Sequence, residues 1–139
     1  MMKKLMLVLV SGILVLTFGI ISNIAVAQEI SCIKADELKK MIESKANILI
    51  VDTQPKGAYE IGHIKGAVNF PWAMEIKDPK ELPKDKLLVL YCDCGHEEDS
   101  ISVATQLITK WGYSNIKVLE GGWSGWVKLG YPIEKSQKK

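Results

Sequence analysis

The sequence contains no arginine: all of its 18 cationic side chains are lysine, set against 16 carboxylates for a formal net charge of +2. Arginine supplies the planar, two-pronged donor that most phosphate sites use, so its absence argues against a phosphatase or phosphotransferase. A charge this close to balance gives no reason to expect nucleic-acid binding. With 139 residues the chain has room for one ordinary domain.

A long hydrophobic run occurs only at the N-terminus. Lys3 and Lys4 precede an apolar stretch that ends in Ala25-Val26-Ala27, with small residues at the two positions that signal peptidase reads. We therefore expect 1–27 to be a signal peptide cleaved after Ala27, and 28–139 to be a periplasmic or secreted domain without stable membrane insertion. The alternative is an uncleaved N-terminal segment that anchors the chain in a membrane. Cleavage removes two lysines and leaves the rest equal in number to the carboxylates.

Cysteine is scarce, and its number is odd. The chain has Cys32, Cys92 and Cys94. In an oxidising compartment an odd number leaves at least one thiol free or paired between molecules. We expect Cys32, near the start of the mature chain, to be that spare or intermolecular thiol.

Short apolar runs rich in branched residues predict strands buried on both faces of a sheet. They lie at 48–51, 67–70, Leu87–Tyr91 and Ile116–Leu119. Helical spacing of apolar residues predicts helices over 35–44 and 100–111. Three prolines place 71–83 on an irregular surface path. Because strand, helix and strand follow one another closely, the pattern indicates a right-handed parallel crossover. The sequence thus predicts a single α/β domain, a parallel sheet with helices on both faces.

Ligand sites in such sheets lie at the carboxyl ends of the strands. Asp52 follows one predicted strand, and a loop beginning with Cys92 follows another. That loop leads into the helix predicted over 100–111, for which Asp99 or Ser100 can supply the N-cap. The free N–H groups of a helix start stabilise a cysteine thiolate and make it a nucleophile near neutral pH.

The ordered motifs of the chain resemble those of the rhodanese-like family of sulfurtransferases over residues of about 30–133. The segments that carry the resemblance are Leu49-Ile50-Val51-Asp52, Gly62-His63-Ile64 within 58–67, Val89-Leu90-Tyr91-Cys92, Trp111-Gly112-Tyr113 and Leu119-Glu120-Gly121-Gly122-Trp123-Ser124-Gly125-Trp126. The resemblance implies a five-stranded parallel sheet and a loop cysteine that accepts sulfane sulfur as a persulfide. It implies no cofactor, and partners that are small sulfur compounds or protein persulfides and thiols.

Two alignments of the loop are open. Counting forward from the strand places the nucleophile at Cys92, which we favour because the strand fixes where the chain emerges. Counting back from Ser100 places it at Cys94, with Asp99 where relatives often carry arginine. The resemblance makes the rest of the loop the substrate-binding segment: Asp93, Cys94, Gly95, His96, Glu97, Glu98, Asp99 and Ser100. We expect its backbone N–H groups to stabilise the persulfide and His96 to protonate or orient substrate.

The loop is also acidic. We expect its four carboxylates, at Asp93, Glu97, Glu98 and Asp99, to disfavour a thiolate and to repel anionic donors such as thiosulfate.

Two other chemistries fit the loop. Cys92 and Cys94 can form a disulfide, which would make the protein a thiol–disulfide oxidoreductase. Cys92, Cys94 and His96 alternate along the chain, so in an extended loop they would point the same way and suit zinc or copper. The alternative to an enzyme is therefore a non-catalytic sulfur- or metal-binding module.

Other conspicuous residues have structural interpretations. We expect Asp52 to brace neighbouring loops and His63 to pack and hydrogen-bond within its own loop. Gly121 and Gly122 are expected to open the last helix at a tight turn, and the tryptophans at 123 and 126 to pack on the sheet.

Overall fold

The computed structural model describes residues 29–136. The elements along the chain are β1 (Ser31–Ile33), α1 (Ala35–Glu43), β2 (Ile48–Asp52), α2 (Lys56–Ile61), β3 (His63–Ile64), β4 (Val68–Asn69), β5 (Leu87–Tyr91), α3 (Glu98–Trp111), β6 (Ile116–Leu119), α4 (Gly122–Lys128) and β7 (Ile133–Glu134). The predicted signal peptide lies outside the described residues. Between residues 29 and 136 no helix is long and apolar enough to cross a membrane.

Five strands form one parallel sheet in the order β1-β6-β5-β2-β4. The predicted parallel α/β architecture is confirmed, and β5 and β6 have the predicted bounds. β5 lies at the centre, where Leu88 pairs with Leu49 of β2 and with Ile116 of β6. The loop that follows β5 therefore emerges from the middle of the sheet.

Both faces of the sheet are covered by helices. Alternate residues of β5 point to opposite faces, as the pleat of a strand requires. Leu88 and Leu90 pack with Leu107 of α3, whereas Val89 and Tyr91 pack in a second cluster on the other face. The second cluster takes its helical members from α1 and α4, Leu38 and Trp126. This double burial explains why the strands read as continuous apolar runs.

Residues 71–83 contain no helix or strand, as predicted, but they are not only a surface path. Ile76 and Leu82 are buried against the α3 side of the sheet. The Tyr113 hydroxyl donates a hydrogen bond to the Leu82 carbonyl oxygen at 2.7 Å. The segment thus contributes to the core, although its prolines predicted only a surface path.

A second, antiparallel sheet joins β3 to β7, with His63 opposite Glu134 and Ile64 opposite Ile133. The sequence did not predict it, because strands of two residues are too short to show a period. It ties the end of the described chain to the His63 loop.

Candidate active site at the carboxyl end of the central strand

Cys92 lies directly after β5 and is 1% exposed. Its Sγ is 3.4 Å from the Oγ of Ser100, in the first turn of α3. Its main-chain oxygen accepts a hydrogen bond of 2.8 Å from the N–H of Trp123, at the start of α4. The side chain is therefore held where β5, α3 and α4 meet.

The structure joins Cys92 and Cys94 in a disulfide with a Cα–Cα distance of 5.6 Å. Cys94 is partly exposed, unlike its partner. Because the two sulfurs bond to each other, they are not free in this state to form, with His96, the metal site considered as an alternative. Among residues 29–136 no group of three or more His, Cys, Asp or Glu side chains is placed to hold a metal ion.

The third cysteine is a free, exposed thiol in β1. Partial burial and then the nearby carboxylates of Glu120 and Glu97 raise the pKa of Cys32. The protonated form is therefore favoured, which makes this thiol a poor nucleophile near neutral pH.

α3 begins at Glu98, two residues before the predicted start, and neither Asp99 nor Ser100 caps it. Its N-cap is Glu97, in the left-handed backbone region with φ 56° and without a side-chain cap hydrogen bond. The Glu97 carbonyl oxygen accepts from Ile101 N–H at 2.8 Å and from the Ser100 hydroxyl at 3.0 Å. The cap prediction was wrong because this left-handed turn lets the helix start earlier.

Three of the four loop carboxylates accept hydrogen bonds from neighbouring backbone or hydroxyl groups. Glu97 Oε1 accepts from Gly121 N–H at 2.8 Å, and Asp93 Oδ1 accepts from the Ser124 hydroxyl at 2.5 Å. Glu98 Oε2 accepts from His96 N–H at 3.1 Å, and its backbone hydrogen bonds lower the pKa of Glu98. These carboxylates tie the loop to itself and to α4, a role that the sequence analysis missed.

The remaining parts of the loop face outward. Gly95 is exposed, as is His96, whose backbone N–H is taken by Glu98 and is not free for a persulfide. Asp99 lines a cleft of about 150 Å³ together with Thr53, Pro55, Pro71 and Trp72.

Gly121 and Gly122 open α4, as expected, with φ of +75° and +49°. A Cβ at Gly122 would stand 2.2 Å from the main-chain oxygen of Cys92. The second glycine is therefore required by the close approach of α4 to the cysteine loop. One sequence gives no signal for this contact beyond the glycine pair itself.

Asp52 braces the strand ends beside the loop. It is fully buried and accepts from the Tyr91 hydroxyl at 2.6 Å and from Gln54 N–H at 2.8 Å. The same hydroxyl accepts from Ile64 N–H at 3.0 Å, which links β5, β2 and β3. Burial raises the pKa of Asp52, and burial together with Asp52 raises the pKa of Tyr91.

His63 is buried in its own loop. Its Nδ1 lies 2.7 Å from the Tyr59 carbonyl oxygen, and its Nε2 lies 3.3 Å from Glu134 Oε1. Its ring stacks on Tyr59 with the centroids 3.8 Å apart. These contacts hold the loop against β7.

A cleft of about 310 Å³ opens beside the loop. Its lining residues are Gln54, Ala58, Ile61, Gly62, Asp93, Trp123, Ile133 and Lys135. Trp123 stacks on Tyr91 with centroids 6.5 Å apart, so it packs toward the sheet and also lines the cleft. Trp126 is buried in the core.

The central parallel strand delivers a buried cysteine to the start of a helix, at the carboxyl end of the sheet, where α/β domains place their ligand sites. The chain belongs to the Rhodanese-like domain family, whose model matches residues 34–129.

Named relatives point to sulfur chemistry. The chain is 31% identical over 111 residues to thiosulfate sulfurtransferase GlpE of Coxiella burnetii, covering 80% of this chain and 96% of that protein. It is 29% identical over 103 residues to sulfur carrier protein TtuD of Thermus thermophilus, covering 63% of this chain and 35% of that protein. The chain therefore spans about a third of the length of that longer relative.

The fold also matches solved structures. A rhodanese-related protein from Thermoplasma volcanium superposes with a TM-score of 0.60 at 25% identity, over 75% of this chain and 97% of that one. The homologues of the chain include proteins named as sulfurtransferases and one named as a sulfur carrier.

Proposed function

We propose that the protein is an exported sulfurtransferase that carries sulfane sulfur as a persulfide on Cys92. The observation that carries the proposal is the Cys92 Sγ, 3.4 Å from the Ser100 hydroxyl in the first turn of α3. The free N–H groups of a helix start and a hydroxyl donor both stabilise a sulfur anion. Membership of the Rhodanese-like domain family, together with relatives named as sulfurtransferases, supports this class of reaction.

Sulfur transfer requires the reduced loop. The Cys92 thiolate attacks the sulfane sulfur of the donor, whose S–S bond breaks and whose leaving group takes the electron pair. The proton of the thiol leaves to solvent. An acceptor thiolate or cyanide then attacks the outer sulfur, which returns Cys92 to its thiolate. The Ser100 hydroxyl, which bonds the Glu97 carbonyl oxygen, can turn toward the thiolate in this state.

We propose thiol persulfides rather than thiosulfate as the donor class. The sequence has no arginine to bind a dianion with two parallel hydrogen bonds. Asp99 occupies the position at which the resemblance leads one to expect arginine. Asp99 also lines the cleft of about 150 Å³, whose lining includes no cationic side chain, so its charge opposes an anion there. With cyanide as acceptor, turnover with cysteamine persulfide, which carries a cationic amine and no carboxylate, should exceed turnover with thiosulfate, and the reverse order would contradict this choice.

Thiocyanate formation by the purified, reduced protein tests the role of Cys92. Cys92→Ser should lower the rate by on the order of a hundredfold or more, because the proposal places the transferred sulfur on this thiol. Cys32→Ser, which removes the exposed thiol of β1, is the control and should keep the full rate. Loss of transfer in Cys94→Ser with retention in Cys92→Ser would assign the sulfur to Cys94 and overturn the proposal.

Export is the second part of the proposal. It is supported by the N-terminal pattern of two lysines, an apolar run and Ala25-Val26-Ala27. A disulfide in the loop also suits an oxidising compartment. N-terminal sequencing of the chain recovered from outside the cytoplasm should begin at Gln28, whereas an intact N-terminus would contradict cleavage.

A further inference from the structure

We propose that Cys94 is a resolving thiol: it attacks the Cys92 persulfide, releases the sulfane sulfur as sulfide and leaves the Cys92–Cys94 disulfide, which a dithiol reductant reopens. This inference rests on the proposed function, because it needs sulfur on Cys92. It adds a second activity to the same site, the reduction of sulfane sulfur.

The two sulfurs are placed for this reaction. Only Asp93 separates the cysteines in sequence, and their Cα–Cα distance of 5.6 Å is usual for a disulfide. A persulfide on Cys92 would therefore be formed within reach of the Cys94 thiol. Attack within one loop needs no encounter with a second molecule, which gives it a large advantage over an external thiol.

The bond is not needed to hold the fold together. It closes a ring of only three residues, and the stabilisation that a disulfide gives by restricting the unfolded chain is smallest for the shortest loops. The apolar clusters on both faces of the sheet already bury residues such as Trp126, Leu38 and Leu107 completely or almost so. A domain of this size does not depend on a disulfide for its core. The pair is therefore better explained by chemistry than by stability.

The two cysteines differ in exposure, and this difference decides which of them an incoming reagent can reach. In the disulfide state Cys92 is 1% exposed, so a sulfur donor cannot reach it and the oxidised protein cannot be loaded. Cys94 is partly exposed, so an incoming reductant meets its sulfur first. Its neighbour Asp93 lines the open cleft together with Ile61, which is 75% exposed.

The stability of the leaving group also favours attack of the reductant at Cys94. When a reductant thiolate attacks Cys94, Cys92 leaves as a thiolate beside the Ser100 hydroxyl and the first turn of α3. A stabilised thiolate is the better leaving group. Access and leaving-group stability thus agree that the reductant forms its mixed disulfide with Cys94.

The steps balance. The Cys94 thiol gives its proton to solvent, and the thiolate that forms attacks the inner sulfur of the Cys92 persulfide. The bond between the two sulfurs of the persulfide breaks, and the outer sulfur leaves as hydrosulfide with the electron pair. The two loop thiols are oxidised to a disulfide, while the sulfane sulfur is reduced to sulfide. An external dithiol then reduces the loop in two exchange steps and becomes a disulfide itself.

The test is a single turnover without reductant, in the full chain carrying Cys32→Ser so that the loop holds the two remaining thiols. The protein is reduced, freed of reductant, and given one equivalent of cysteamine persulfide. Released sulfide and the intact mass are then followed with Cys94 retained, with Cys94→Ser and with Cys94→Ala. Circular dichroism checks that all three are folded.

With Cys94 retained, we expect one equivalent of sulfide and a final mass about 2 Da below the reduced chain, the loss of two hydrogens. In both Cys94 variants we expect a stable gain of about 32 Da, one sulfur atom, and sulfide release at least about tenfold slower.

The outcomes separate the two proposals. A stable persulfide without sulfide release in the protein that keeps Cys94 would overturn the resolving role and leave the sulfurtransferase intact. Equally fast release from the Cys94 variants would also overturn that role. If the folded Cys94 variants gain no sulfur at all, the persulfide on Cys92 is wrong and the resolving step falls with it.

Discussion

Asp52 shows what one buried carboxylate does to the end of β2. It has no exposed surface, and its oxygens accept from the Tyr91 hydroxyl and from both the backbone and the side chain of Gln54. Burial nevertheless outweighs these bonds and raises the pKa of Asp52 above its ordinary value. The folded protein therefore holds this proton more tightly than the unfolded chain does.

The raised pKa sets the sign of a pH dependence. The contribution of Asp52 to stability is full below the ordinary pKa of 3.8 and is lost as the pH rises through the higher pKa of the folded state. Asp52→Asn removes this ionisation, so its free energy of unfolding relative to wild type should rise with pH. The rise should be roughly 1.4 kcal/mol for each pH unit that separates the pKa of the folded protein from that of the unfolded chain. Urea denaturation between about pH 3.5 and 7 measures it.

The matched control is Asp85→Asn, at an exposed position in the loop before β5. The free energy of unfolding of this variant, plotted against pH, should run parallel to that of wild type over the same range. A parallel curve for Asp52→Asn would show that burial does not govern this carboxyl.

Some residues of the site could be predicted from the sequence and others could not. The cysteine loop and the bracing position of Asp52 follow from strand ends that the pattern reveals. The Tyr91 hydroxyl was missed because the residue sits in an apolar run and reads as core. The bond from Gly121 to Glu97 spans 24 residues, and such pairs depend on the folded path rather than on local spacing.

At the scale of elements, the cysteine loop is held by α4. The N–H of Trp123 donates to the Cys92 carbonyl oxygen, and Glu97 and Asp93 accept from Gly121 and Ser124. This contact requires a glycine at 122, because the helix start runs against the main chain of the cysteine.

Gly122→Ala should therefore damage both the fold and the site. Its φ of +49° is strained for alanine, and its Cβ would stand 2.2 Å from a backbone oxygen that cannot swing away. We expect a loss of at least about 2 kcal/mol in the free energy of unfolding, together with slower thiocyanate formation. Denaturation and turnover of the purified variant measure the two effects.

Gly57→Ala is the control for this substitution. It lies in α2 with no atom within 4 Å of its Cβ position. Stability there should be unchanged or up to about 1 kcal/mol higher, since alanine favours a helix. If both variants behave alike, the approach of α4 to Cys92 is not tight.

Elements differ in how much of them a sequence reveals. β5 and β6 have the predicted bounds because their apolar residues are concentrated in short runs: Lys86 precedes β5, and Asn115 and Glu120 flank β6. The β3–β7 pair was missed because each strand has two residues. The predicted start of α3 was wrong because Glu97 adopts a left-handed backbone conformation, which the glutamate side chain does not indicate.

At the scale of the whole molecule, the compartment of the protein determines whether the Cys92–Cys94 pair is oxidised or reduced. A disulfide persists in oxidising compartments and is reduced in the cytosol. The proposed export therefore predicts the state of the loop: oxidised after export, and open for sulfur only when a dithiol reductant reaches it. A chain kept in the cytosol would hold the same loop reduced.

Deleting residues 2–27 separates these states. The full chain expressed in a bacterium should carry the Cys92–Cys94 bond, whereas the shortened chain should have both thiols free. Acid quenching of the cells to stop thiol exchange, then alkylation in a neutral denaturing buffer and peptide mass spectrometry, distinguishes them. Cys32 is the internal control, because this free, exposed thiol should be alkylated in both chains. An identical loop state in both would contradict export, since the deletion would then have changed no compartment.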